Sequence, residues 1–372
     1  MMRFLLFIGT VQSILFLGHW FLYRTFISFY GITHPSKRWI FRILLAGLSM
    51  SLILSSFLSF HYSNFFIRNL YTASVSWLGI FYLLVLASIL SWALYGLMKF
   101  FGLSLDRKAG ITILIGMALL LSLYGFWNAG NIRIQTISLP IPNLPDSWKG
   151  KRALWVSDLH LGQVRNHRFA QSIADRILAL RPDIVWFGGD LFDGGEAMDL
   201  NHMVEPFLRL SPPHGSYFVT GNHEEFYDSA PYLHAVRRAG IRVLENEKIE
   251  LDGLQIIGVG YRDSRGQDRF RSLLRRISID RSKPSILLKH ALYDLDIARE
   301  QGISAQISGH THQGQLFLFR FITSWIYKGY DYGLKRWGDL IVYTSSGVGT
   351  WGPPMRIDTV PEIVVITFTQ SH

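Results

Sequence analysis

The hydrophobic rhythm of the chain changes once. Up to residue 127 the apolar residues come in long blocks, Phe4–Tyr23, Trp39–Phe60, Val75–Met98 and Gly110–Trp127. Each block is near the ~20 residues that cross a bilayer, because a helix rises only about 1.5 Å per residue. The pattern predicts four transmembrane helices, with residues 1–130 as a membrane anchor. A cleavable signal peptide fits the first block poorly, since three further blocks follow and no small-residue cleavage site ends it. Gln12, His19 and His61 are isolated polar residues in or beside these blocks, which reads as helix-to-helix contact rather than a transport pathway.

Beyond residue 127 the period shortens. Ile132–Leu139 alternates like a strand, and Pro140, Pro142 and Pro145 then interrupt regular structure. Strands are predicted at Leu154–Val156, Ile184–Phe187 and Tyr217–Val219, alternating with helices at Asn166–Leu180, Met203–Leu210 and Ser229–Ala239. The second half is richer in strands: Arg242–Leu244, Lys248–Leu251, Gln255–Val259, Ser285–Leu288, Ala305–Ile307, Gln315–Phe319, Leu340–Tyr343 and Ile363–Phe368. Helices near Asp268–Ile277 and Leu292–Gln301 interrupt them. Residues 131–372 therefore read as one α/β domain of two mixed sheets flanked by helices.

Composition agrees with a partly membrane-embedded chain, with 49% apolar and 14% aromatic residues. The absence of Cys excludes disulfides and thiolate metal sites. A net charge of +10 would point to nucleic acid, but nine basic residues and one acidic residue lie within residues 1–130, leaving 28 basic against 26 acidic beyond. The domain thus has no electrostatic footprint for nucleic acid. The basic residues instead predict topology. Arg24, Lys37, Arg38 and Arg42 mark the first loop and Lys99, Arg107 and Lys108 the third, against Arg68 alone in the second. Positive residues favour the cytoplasm, so both termini and the domain are expected outside a plasma or inner membrane.

Five short polar stretches follow apolar runs: Asp158-Leu159-His160, Gly188-Gly189-Asp190, Gly221-Asn222-His223-Glu224, Lys289-His290 and Gly309-His310-Thr311-His312-Gln313-Gly314-Gln315. Asp158 and His160 would share a face if strand geometry persisted, offering one oxygen and one imidazole nitrogen. Asp190 follows two glycines that permit close backbone approach and could bridge two cations. Taken singly, each stretch has an ordinary reading as a turn, cap or structural His. Asp193 reads as a residue that orients the Asp190 loop or caps the next segment, and Arg165, Arg168 and Arg262 as solvated surface in preference to phosphate or nucleotide contacts. An aromatic run through Phe317, Phe319, Phe321, Trp325, Ile326 and Tyr327, broken by Arg320, is compatible with lipid contact or with core packing.

In order and spacing these stretches resemble the calcineurin-like metallophosphoesterase family, whose motifs run D-x-H, G-D, G-N-H-[DE], H and G-H-x-H. The resemblance covers about residues 131 to 372, and Ser157-Asp158-Leu159-His160-Leu161-Gly162 is similar to its membrane-tethered branch. It implies a four-layer α/β/β/α sandwich and two divalent cations, Mn, Fe or Zn. Asp158, His160, Asp190 and His312 would hold one ion, and Asp190, Asn222, His290 and His310 the other. Water activated between the cations would attack phosphorus, with His223 as general acid to the leaving oxygen.

The substrate class implied is a phosphodiester or pyrophosphate, amphiphilic or lipid-linked, because relatives in that branch hydrolyse UDP-2,3-diacylglucosamine, a lipid A precursor. Since that nucleotide is cytoplasmic, substrate and sidedness constrain each other. A metal-binding membrane sensor or scaffold without turnover is the competing class. Two positions depart from the family pattern: Leu292 stands where Pro is common, and Asp358 where Gly is usual after Arg356-Ile357. Neither removes a ligand.

Overall fold

The computed structural model describes residues 2–104, 106–195, 198–226 and 228–371, which form two compact units. The first runs to Trp127 and takes in two short later stretches. It contains α1 (Met2–Tyr30), α2 (Pro35–His61), α3 (Phe65–Phe100) and α4 (Arg107–Gly130), all long and apolar enough to cross a membrane. Their ends follow caps rather than bilayer width. Pro35 opens α2, where its missing N–H costs nothing, and the Asn64 side chain accepts from Ile67 N at 2.9 Å to start α3 ten residues before the predicted Val75.

Two of the polar side chains in this unit, His19 and Gln12, have fixed partners. His19 Nδ1 donates to Leu15 O at 2.7 Å, its Nε2 accepts from Trp77 Nε1 at 3.0 Å, and its ring stacks on Phe81 at 4.0 Å. Gln12 donates to Ser49 O at 3.1 Å. Both residues tie helix to helix, the structural role expected of isolated polar groups in apolar surroundings.

The second unit starts at Asn128. Its elements in order are β1 (Arg133–Ile141), β2 (Arg152–Val156), α5 (His167–Leu180), β3 (Ile184–Phe187), α6 (Leu200–Val204), β4 (Ser216–Phe218), α7 (Asn222–Glu225), α8 (Ala230–Arg238) and β5 (Arg242–Val243). There follow β6 (Glu247–Leu251), β7 (Leu254–Val259), α9 (Gln267–Ile277), β8 (Ser285–Lys289), α10 (Leu295–Glu300), β9 (Ala305–Ser308), α11 (Phe317–Ile326), β10 (Gly333–Trp337), β11 (Leu340–Thr344) and β12 (Glu362–Gln370).

Two six-stranded mixed sheets result, ordered β1-β12-β2-β3-β4-β5 and β10-β11-β9-β8-β7-β6. Strand alternation distributes the side chains between layers. From β2, Ala153 and Trp155 join β8's Ile286 and Leu288 in the core between the sheets, whereas Leu154 and Val156 pack under α5 and α8. Leu287 faces the opposite way, into the core beneath α9 and α10. The layers are α/β/β/α.

Several predicted elements shift. β1 continues through Pro140 to Ile141, because it is an edge strand and an edge tolerates a residue without an N–H. The predicted helix Met203–Leu210 divides into α6 and a 3₁₀ turn, Glu205–Arg209, where Pro206 withholds a donor. The predicted strand Gln315–Phe319 does not form: β9 is already paired on both sides, by β8 and β11, and Phe317–Ile326 is helical instead. Unpredicted β10 carries Lys335 and Arg336 on an exposed edge, where charge discourages further pairing.

Candidate metal centre

Five strands that run parallel to a neighbour, β2, β3 and β4 in one sheet and β8 and β9 in the other, end where the five polar stretches begin. Ligands gather at such strand ends because the chain turns there and exposes side chains and backbone together. Strand geometry does not persist through Asp158 and His160. Both take left-handed backbone, φ 58° and 50°, as do Asp190 (50°), His310 (71°) and His312 (47°). Each such conformation costs about 1–3 kcal/mol and needs its surroundings to hold it. Here Asp158 N donates to Gly189 O and His160 N to Asp190 O, both at 3.0 Å, while His310 N donates to Asp158 Oδ1 at 3.0 Å. Glycine is required where these turns touch: a Cβ on Gly221 would stand 2.1 Å from Asp190 Oδ1, and one on Gly309 2.4 Å from Asp158 Oδ2.

The buried side chains converge in two groups, Asp158 with His160 and His312, and Asp190 with His290 and His310. In the first, His160 Nε2 lies 3.1 Å from His312 Nε2, which lies 3.6 Å from Asp158 Oδ1. In the second, His290 Nε2 lies 3.2 Å from both His310 Nδ1 and Asp190 Oδ2. The same Asp190 oxygen is 3.9 Å from His160 Nε2, so it stands between the groups. Atoms about 2.0–2.2 Å from a shared cation stand roughly 3 to 3.6 Å from one another. Asn222 opens α7 and its buried Oδ1 has no hydrogen-bond partner, a costly condition that a cation would relieve. The donors, nitrogen and oxygen without thiolate, fit a divalent metal of the Mn, Fe or Zn kind.

Surrounding contacts orient these rings. His290 Nδ1 donates to Gly188 O at 2.7 Å, which turns Nε2 toward Asp190 and His310. Asp193 Oδ1 is 3.3 Å from His160 Nδ1, and its carbonyl accepts from His223 Nδ1 at 2.9 Å. Glu224, fully buried, accepts from the backbone N of Asp190, Phe192 and Gly221 at 2.8–3.1 Å, locking the second and third stretches together. Arg356 donates to the carbonyls of Ser346 and Gly349, each at 2.7 Å, and its Nη2 stands 3.3 Å from His312 Nδ1.

Charge is divided unevenly. Burial opposes protonation of His290, but Asp190 and Asp158 carry its pKa up to about 10. Burial and the neighbouring charge of His290 push His310 down to about 3. His223 is lowered by burial and by His160, with Asp190 and Asp193 acting against them. Burial, then Asp190, pushes Glu224 up to about 7.

All eight residues singled out in the sequence lie in this region: Asp158, His160, Asp190, Asn222, His290, His310 and His312 as ligand candidates, with His223 beside them. Arg165 is not solvated surface. It packs over Phe169 at 4.7 Å and donates to Ala129 O at 3.2 Å. Arg168 and Arg262 are exposed, as expected. Asp358 adopts φ 63°, which explains a usual Gly there, and Asp tolerates that conformation. Sequence reasoning missed Glu224 and Arg356 as organisers. The spacing Gly221 to Glu224 is a capping signature that could have found the first; the second left no local signal.

A family profile described as Calcineurin-like phosphoesterase matches residues 151–314. An uncharacterized metallophosphoesterase of Aquifex aeolicus is 32% identical over 259 residues, 68% of this chain and 97% of its own length. One from Campylobacter jejuni is 32% identical over 244 residues, 63% of this chain and 62% of its own. A Danio rerio protein named transmembrane protein with metallophosphoesterase domain is 31% identical over 270 residues, 68% and 61%. The chain thus spans less than two thirds of the Campylobacter and Danio proteins. With the Aquifex protein matched almost from end to end, this chain belongs to the calcineurin-like metallophosphoesterase family of metal-dependent phosphoester hydrolases.

Proposed function

We propose that the chain is a membrane-anchored phosphoesterase that uses two divalent cations to cleave a phosphodiester or pyrophosphate bond of an amphiphilic, envelope-associated molecule. The observation that carries this reading is the position of Asp190 Oδ2 between the two groups, beside an Asn222 oxygen with no partner of its own. When bound, two cations there would acidify water and neutralise phosphate charge.

The chain's own residues complete the chemistry. His223 Nδ1 is engaged by the Asp193 carbonyl, so Nε2 is the nitrogen left to give a proton to the leaving oxygen. Exposed Phe226 and Trp351 stand 5.1 and 6.5 Å from the His223 ring, centroid to centroid. They offer apolar and stacking surface to the leaving half of an amphiphile. The anchor would keep the domain near such substrates, and the basic first and third loops favour a location outside the cytoplasm.

The test is hydrolysis of UDP-2,3-diacylglucosamine by the full-length protein in detergent with Mn²⁺, read by mass spectrometry beside Asp190→Ala. UMP released by the wild type alone identifies the pyrophosphate substrate and puts the domain on the cytoplasmic face. No UMP, with bis(p-nitrophenyl) phosphate still cleaved, keeps the chemistry and directs it to extracytoplasmic phosphodiesters. Cleavage of neither sinks the reading.

A further inference from the structure

α11 is amphipathic the wrong way round. In α9 the apolar Phe270, Leu273 and Leu274 are buried and the charged residues face water. In α11 all seven apolar side chains are exposed, Trp325 by 81%. They are seven of the thirteen exposed large apolar residues among the described residues of the second unit, gathered in ten positions. At 100° per residue they cover an arc of roughly 200°, leaving Arg320, Thr323 and Ser324 on the other side. Arg320 Nη1 pairs with Asp358 Oδ2 at 2.7 Å, so the polar side is the one fastened to the domain.

The segment after α11 is basic. From Phe317 to Trp337 the chain carries Arg320, Lys328, Lys335 and Arg336 against the single, buried Asp331. Among the described residues no carboxylate lies within ion-pair distance of Lys328, Lys335 or Arg336, and Leu334 in β10 is a further exposed apolar residue. In sequence, two residues, Asn131 and Ile132, lie between α4, an apolar span, and β1.

We propose that α11, rimmed by the basic residues of the α11–β10 segment, lies in the interface of an anionic bilayer and docks the catalytic domain on it. A Trp- and Phe-rich apolar face with cations at its border is the composition of interfacial helices. The inference goes beyond the proposed function and holds whatever the substrate. It also bears on it, because the candidate site and the docking helix belong to one segment. His312 lies five residues before α11, and Gln315, two before it, bonds Trp351 through both Nε2 to O (3.0 Å) and Oε1 from N (2.9 Å).

The chain has no Cys, so one introduced thiol is its only label site. Ile322→Cys, Trp325→Cys and Asp268→Cys, the last on the charged face of α9, would each carry a nitroxide in the full-length protein. The carriers are vesicles of phosphatidylglycerol and phosphatidylethanolamine. We expect labels at 322 and 325 to be open to oxygen and shielded from an aqueous nickel chelate, with the label at 268 the reverse. Water access at 322 and 325 equal to that at 268 overturns the proposal, and so does spin–spin broadening showing a second copy on the helix. A second variant, Phe321→Ser with Ile322→Ser and Trp325→Ser, should leave hydrolysis of soluble bis(p-nitrophenyl) phosphate unchanged. It should lower turnover of a vesicle-embedded phosphodiester several-fold; equal turnover in vesicles would also overturn the docking. Lipid-immersed labels on a protein that cleaves nothing would keep the docking and remove the phosphoesterase reading alone.

Discussion

His160 and His312 are steadied by other side chains, whereas Asp190 and His290 are steadied by backbone, as is Asp158, which accepts from His310 N. Asp193 faces His160 and Arg356 faces His312 in the first group. In the second, Gly188 O holds His290 and the backbone N of His223 donates to Asp190 Oδ1 at 2.9 Å. A ring held by a side chain can be loosened by one substitution, but a ring held by a carbonyl cannot. The first group is therefore the adjustable half of the centre, and the second follows the strand ends.

The largest effect should come from Asp190, which stands between the two halves. Asp190→Ala is expected to abolish phosphodiester hydrolysis and to release both cations, counted by elemental mass spectrometry; retention of one ion would show that the groups do not share it. Next, His223→Ala should slow substrates with alkyl leaving groups by roughly 10²- to 10⁴-fold while slowing p-nitrophenyl substrates much less, with metal content unchanged. Equal loss on both would remove the general-acid role.

Smaller effects should separate the halves. Asp193→Asn is expected to weaken one cation site by roughly 10- to 100-fold and leave the other intact, as competition with a fluorescent chelator would report. Equal weakening of both would erase the comparison. Since His290 carries a proton up to about pH 10 without cations, binding must expel it, so the apparent affinity should rise with pH across the neutral range. An affinity flat in pH would mean that the Asp190–His290 pair does not hold that proton. Least of all, Trp351→Ala should raise KM for an amphiphilic substrate only modestly and leave kcat near its wild-type value.

The two types of region were legible to different degrees, for physical reasons. Apolar blocks betray membrane helices because length alone matters there, although Asn64 and Pro35 moved the ends. β2, β3, β7 and β8 were readable because both faces of each are buried and their sequences are runs of apolar residues. The predicted strand Gln315–Phe319 overlaps only the first three residues of α11, where a short apolar run fits either element, and the occupied edges of β9 leave it no partner there. Around the site, the residue types and their order were visible in the five stretches. Their left-handed backbone was not, nor was Arg356, whose role depends on loops that meet only when the second sheet and the chain's last stretches are in place.

The interleaved strand order has a consequence for the timing of synthesis. β12 lies between β1 and β2, yet about 220 residues separate the end of β1 from the start of β12. At roughly 5–20 residues per second, β1 and the outer edge of β2 wait on the order of ten seconds or longer for their common neighbour. β12 also brings Glu362, which accepts from Tyr343, Ser345 and the backbone of Ser346 and so joins the two sheets. A nascent chain thus holds an open, unfinished sheet until that strand arrives.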